Sequence, residues 1–358
     1  MQYLLDIIAR LKSVAITGTV KNAGKTECLN FIIKGLEKRN IKPSVTSIGV
    51  DGENIDSVKK THKPEIFLSP GDVFVTTEGY YKTRELSSEI MDVSSGKTSL
   101  GRLITSRVIT PGKVIVSGPA DTKGLRKVID SLEGNGFTPV LVDGALSRLS
   151  LGAPTVTDAM VLATGAALSS SESELVKKTA FVCEMIDLPL AASKFISEFE
   201  NVERGVWTYS VNDGKIDLNI PSALELRSHT AKIIEILEKG HKVLFISGVV
   251  TDSIIEILSG IQGSENIDLV IRDFTCMFVK PLTFRMFRKR RGTIQVLKKP
   301  RLLGICVNPV SPSGFKLDSK RLCDTISYET GYPVVDVVSG ISVRPDESVK
   351  NQKRLQCV

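Results

Sequence analysis

Apolar and polar positions alternate in blocks along this chain. Val14, Ala15 and Ile16 form a short apolar run that ends at Gly18. A polar loop follows, and apolar residues then return at helical spacing as Leu29, Ile32, Ile33 and Leu36. The pattern predicts a strand over Ser13–Thr17 and a helix from Lys25 to about Arg39, stopped by Asn40 and the Lys42-Pro43 step. Residues 1–12 read as a short lead-in helix. Further strands are predicted at 44–50, 72–77, 113–117, 138–142 and 158–164, with a helix over 123–133 and another beginning near Ser171. Residues 78–112 show no clear period, and Ser94-Ser95-Gly96-Lys97-Thr98 reads as a loop.

The second half repeats the alternation. Two runs flank Asn212-Asp213-Gly214, at 207–211 and 215–219, and predict a hairpin. Helices are expected at 228–239, 251–261 and 319–330, and strands at 242–247, 267–271, 293–297, 302–307 and 334–338. Strands alternating with helices of this length imply parallel pairing in a doubly wound α/β sheet, with ligands at the strands' carboxyl ends. The expected architecture is a nucleotide-binding domain over residues 1–200 and a second, smaller α/β domain over 201–358. The polar loop after Gly18, Asp51, Gly118, Asp143 and Thr164 all fall at strand ends in the first half.

Composition narrows the class. No run of about 18 apolar residues exists, so no membrane span or membrane partner is expected. Residues 1–12 lack a basic leader and a small-residue cleavage site, which makes a cytoplasmic protein the default. The six cysteines have no CxxC spacing, and the three histidines do not cluster. The cysteines therefore read as small core residues. The net charge of +7 is concentrated in one stretch, 280–301.

The strand–loop–helix at 13–38 carries the chemistry. Gly18, Thr19, Val20, Lys21, Asn22, Ala23, Gly24, Lys25, Thr26 and Glu27 make up the loop and the first helical turn. Backbone N–H groups there converge on anionic oxygens, and the helix dipole adds positive potential. Lys25 would reach the β- and γ-phosphates, and the Thr26 hydroxyl would ligate Mg²⁺. The strict phosphate-loop pattern has a glycine where this chain has Thr19, and here the glycine sits one residue earlier. Asp143, ending an apolar strand, can hold Mg²⁺ across the sheet from Thr26. Asp51 is the candidate to position the attacking water or contact the metal, with Glu53 as its competitor. The substrate is then ATP with Mg²⁺. Adenine is preferred because no Asn-Lys-x-Asp guanine signature follows any strand of the first half.

Gly-Thr-(x)4-Gly-Lys-Thr at 18–26 resembles the loop of dethiobiotin synthetases and other SIMIBI-class (deviant P-loop) NTPases, including the cobyrinic acid amide synthase group. Dethiobiotin synthetases have Glu-Gly where this chain has Asp143-Gly144. They also carry Lys-Pro where this chain has Val50-Asp51, which argues against their activity here. No nucleophile elbow surrounds Cys306 or Cys323, so the glutaminase chemistry of the amide synthases is not expected. The wording at 18–30, at Ser47-Ile48-Gly49-Val50-Asp51-Gly52-Glu53 and at Val142-Asp143-Gly144-Ala145-Leu146-Ser147-Arg148 is similar to the smaller subunit of the clostridial lysine 5,6-aminomutase reactivases. That resemblance implies an ATPase acting as a chaperone for an adenosylcobalamin-dependent aminomutase, together with a MutS-like partner. In many SIMIBI relatives a loop lysine reaches across a homodimer. Its usual place is Val20 here, which leaves a trans role for Lys21, and dimerisation itself, open.

Two alternatives remain at this level. One is a ligase or kinase of the dethiobiotin synthetase type that activates a small carboxylate. The other is a nucleotide-regulated nucleic-acid-binding module using 280–301, where Arg288-Lys289-Arg290-Arg291 is flanked by Phe274, Phe278, Phe284 and Phe287. The bland reading of that stretch is a solvated basic face, and docking of a protein partner is the third.

Overall fold

A computed structural model describes residues 2–20, 22–49, 66–144, 156–210, 216–239, 241–261, 267–290 and 292–345. The chain forms two compact units, one of residues 1–180 and 300–353, the other of 181–299 with 354–358.

The first unit opens with α1 (Gln2–Ile8), β1 (Ser13–Gly18), α2 (Lys25–Glu37), β2 (Ser44–Ser47), β3 (Ile66–Leu68) and β4 (Val73–Thr77). It continues through α3 (Glu78–Tyr81), β5 (Glu85–Thr98), β6 (Gly101–Val114), α4 (Thr122–Gly134), β7 (Val140–Asp143) and β8 (Ala159–Gly165). Helix α5 (Glu172–Ile186) leads out of it. The second unit holds α6 (Ser193–Phe199), β9 (Val206–Ser210), β10 (Ile216–Ile220), α7 (Thr230–Glu238), β11 (His241–Ile246) and β12 (Val250–Thr251). It ends with α8 (Asp252–Gly260), β13 (Asp268–Ile271), β14 (Met277–Phe278), α9 (Pro281–Lys289) and β15 (Thr293–Val296). The chain then returns to the first unit with β16 (Leu302–Asn308), α10 (Ser319–Thr330), β17 (Val334–Asp336) and β18 (Ser342–Val343).

The first sheet runs β18-β17-β16-β8-β1-β7-β2-β4-β6-β3, with β5 added on β6. From β17 to β4 every pairing is parallel. All six residues of β1 and all seven of β8 are buried, the mark of strands covered on both faces. On one face α2 packs Leu29, Ile32, Ile33 and Leu36 against Val14, Ile16 and Val161. On the other, α4 packs Leu125, Ile129 and Leu132 against Val140 and Val142. Helices therefore cover both sides of a mostly parallel sheet, and the expected α/β class holds.

The expected division at residue 200 does not describe this chain. Leu302–Asn308 pairs in parallel with β8, setting Cys306 beside Ala163, and so extends the first sheet. The apolar run at 302–307 buries against a strand some 140 residues upstream, which linear alternation cannot register. The second unit keeps a sheet of its own in the order β10-β9-β11-β13-β15; the strands of its predicted hairpin pair antiparallel as β9–β10, and the turn at 212–214 lies outside the described residues.

A second correction concerns residues 85–114. The expected loop at 94–98 is the outer end of a long antiparallel ribbon, β5–β6, and of the expected strand at 113–117 only residues 113–114 belong to it, as the end of β6. Along most of β5 both faces are exposed, so no buried alternation marks it. Cross-strand polar contacts hold it instead, such as Ser87 Oγ with Thr110 Oγ1 at 2.7 Å. Among the described residues no helix is long and apolar enough to cross a membrane.

Candidate functional site

The loop after β1 is tied down at its first residue. Thr19 donates its N–H to the Ala163 carbonyl (2.9 Å), and its hydroxyl bonds Thr164 (3.2 Å), which in turn meets Thr179 (2.9 Å). A threonine where the strict pattern has glycine thus anchors the loop to the end of β8. Among the described residues of the loop, Asn22 (φ 63°) and Gly24 (φ 88°) lie in the left-handed region, on either side of buried Ala23. Left-handed residues alternating with ordinary ones aim successive N–H groups into one concavity, an anion nest.

Helix α2 begins immediately afterwards. Its cap, Gly24, supplies no side-chain hydrogen bond, and Cys28 N–H is the first to reach back, to the Gly24 carbonyl at 2.9 Å. The N–H groups of Lys25, Thr26 and Glu27 have no carbonyl to bond within the helix. The Lys25 stem lies across Gly18, where an added Cβ would sit 2.8 Å from Lys25 Cγ. Cys28 packs directly beneath, where burial and a hydrogen bond with Cys306 push its thiol well above the usual range. Burial also raises Cys323, in the core, to about 12 and the half-buried Cys276 to about 11, which keeps both thiols protonated at neutral pH.

Asp143 ends β7, the strand that flanks β1, and stands opposite Ile16. Its carbonyl accepts from Ser47 Oγ (3.0 Å) and Ile48 N–H (3.4 Å), which fixes the strand end beside the loop. Thr26 and Asp143 are each half-buried. Lys21, Asp51 and Glu53 lie outside the described residues.

A cavity of about 330 Å³ opens beside this loop, lined by Asn22, Glu27, Asn308, Val310, Ser311, Pro312 and Val338. Asn308 closes β16. Its Oδ1 accepts the Val310 N–H (3.0 Å), and its carbonyl accepts the Ala166 N–H (2.9 Å). A Cβ on Gly24 would lie 2.6 Å from Asn308 Cβ, so glycine permits the close approach of loop and strand. The wall beyond is braced by Ser311, whose Oγ accepts the Phe315 N–H at 3.0 Å. The sequence carries a signal for Asn308, an apolar run ending in Asn-Pro, but linear alternation assigns that run to the other domain. In the segment after β6, Asp121 caps α4 by accepting the Gly124 N–H (2.7 Å), and Ser117 Oγ accepts the Thr77 N–H (2.9 Å). Neither lines the cavity.

The basic stretch resolves into α9 and the segments after it. Phe274, Phe284 and Phe287 are buried, which removes them as base-stacking platforms, while Phe278 is exposed. Arg288 pairs with Glu184 (3.3 Å), Lys298 with Glu200 (3.0 Å) and Lys299 with Asp187 (3.5 Å).

Comparison with family models, curated proteins and solved structures finds no match for this chain.

Proposed function

We propose that the first unit binds ATP with Mg²⁺ and hydrolyses it, and that the chain couples this to remodelling a partner enzyme. One observation carries the reading. The loop with left-handed Asn22 and Gly24 delivers the chain into an uncapped helix start, with Lys25 folded over Gly18 and Asp143 on the adjacent strand.

The loop N–H groups and those of Lys25, Thr26 and Glu27 would hold the phosphate oxygens, and the Lys25 ammonium would offset charge building up there. The residues present fit a magnesium ion. Thr26 offers a hydroxyl and Asp143, at the end of the strand beside β1, a carboxylate. Mg²⁺ takes few protein ligands and completes its shell with phosphate oxygens and water. When bound, it would supply charge neutralisation at the β- and γ-phosphates. Asp51 is carried forward as the group that orients water or contacts the metal. The 330 Å³ cavity has the size for a nucleoside, with the Asn308 amide and the Ser311 hydroxyl as its polar contacts.

The partner rests on the motif resemblance at 18–30, 47–53 and 142–148. It is an adenosylcobalamin-dependent aminomutase, approached with a MutS-like companion. The test is phosphate release by the purified protein. Stimulation by the aminomutase with its companion supports this reading, whereas stimulation by a small carboxylic acid alone would favour a ligase or kinase.

A further inference from the structure

Glu27 is an anomaly within a phosphate site. It directly follows Thr26, the proposed magnesium ligand, and stands exposed in the first turn of α2, where anionic phosphates are expected to gather. An acid at a helix start has an ordinary role in complementing the helix dipole. This one, however, lines the cavity that runs from the loop towards Asn308. Among the described residues no lysine or arginine forms an ion pair with it.

We propose that the Glu27 carboxylate reads the sugar of the bound nucleotide, accepting hydrogen bonds from the ribose hydroxyls and so selecting ribonucleotides over deoxyribonucleotides. The inference rests on the nucleotide reading given above. Its logic is the order of groups along the ligand. Lys25 and Thr26 take the β- and γ-phosphates, the Glu27 N–H meets the next phosphate inward, and the sugar is bonded to that phosphate. The base lies one group further on, in the part of the cavity walled by Asn308, Ser311 and Pro312. A carboxylate accepts hydrogen bonds and donates none, so it repels phosphate and attracts hydroxyl donors. Ribose hydroxyls are the donors the ligand presents at that position. Asn22, on the opposite side of the loop's left-handed turn, lines the same stretch.

The experiment is calorimetric titration of the full-length protein in Mg²⁺ with ATP, 2′-deoxy-ATP, 3′-deoxy-ATP and tripolyphosphate, repeated with Glu27→Ala. The wild type should bind ATP about tenfold or more tightly than at least one deoxy analogue, the scale of one lost hydrogen bond to a charged group. Glu27→Ala should abolish the preference for ATP over that analogue, while tripolyphosphate binding, freed of a like charge, is not weakened. A role confined to the helix dipole predicts instead a lowered thermal midpoint and equal effects on all three nucleotides. Equal binding of the three by the wild type, or discrimination that survives in Glu27→Ala, overturns the proposal. Tripolyphosphate binding with no added affinity for any nucleotide locates the failure in the sugar and base contacts. Failure of all four ligands to bind removes the nucleotide reading, and this inference with it.

Discussion

An alanine at Gly18 would place its Cβ 2.8 Å from Lys25 Cγ and 3.1 Å from Cδ. The neighbour is a flexible side chain, so Gly18→Ala should displace the lysine rather than the backbone. We expect turnover to fall while the urea midpoint stays within error. Gly24→Ala meets a harder obstacle, a backbone at φ 88° and Asn308 Cβ at 2.6 Å. Left-handed geometry alone costs a residue with a Cβ roughly 1–2 kcal/mol, so this variant should lose both thermal stability and nucleotide affinity. Asp72 gives a pH-dependent prediction. It is fully buried where the chain enters β4, and burial outweighs the Ser69 N–H bond and the pull of Lys42, raising its pKa from 3.8 to about 6. Between about pH 4 and 6 the native state therefore holds a proton that the unfolded chain releases, and stability falls as pH rises through that window. Each pKa unit corresponds to about 1.4 kcal/mol, so the loss approaches about 3 kcal/mol above pH 6. Asp72→Asn should flatten this dependence and leave the protein more stable than wild type at pH 7, as read from denaturant midpoints at pH 4 and pH 7.

Long elements with one buried face, or with burial on both, were legible in the sequence, whereas the shorter β3, α6 and α9 were not, although each buries apolar residues. Helix α2 shows why. Its apolar positions sit at helical spacing, Asn40 takes a positive φ of 56° just beyond its end, and the Ile41 N–H returns to the Leu36 carbonyl. Strand β1 and its loop were legible because the apolar run Val14-Ala15-Ile16 leads through Thr17 to a glycine. The β5–β6 ribbon was not, because strands exposed on both faces carry no alternation for a reader to find. The sequence leaves the aromatics of 274–287 open between stacking on bases and packing. In α9 the phenylalanines at 284 and 287, spaced for one helical face, pack inward, while Arg285, Lys289 and Arg290 remain exposed. The basic stretch therefore reads first as a solvated face with its own ion pairs.

At the scale of the whole molecule, the returning segment 300–345 decides what can be separated. Strands β16 and β17 continue the parallel sheet beyond β8, and Asn308 brings a wall of the cavity with it. This part of the site was hidden from sequence reading because its residues lie nearly 300 positions from the loop they face. A fragment of residues 1–200 would expose the edge of β8 and the apolar face that β16 covers. We expect it to unfold without a cooperative transition, in contrast to the full chain, when followed by circular dichroism in urea. The ATPase account itself is tested most directly by isothermal titration of Mg·ATP into the wild-type protein and into Lys25→Ala. The account predicts saturable one-site binding by the wild type and at least about a hundredfold weaker binding by the variant, with the same thermal midpoint for both. Absence of heat with any nucleoside triphosphate, or equal affinity in the two proteins, would contradict it.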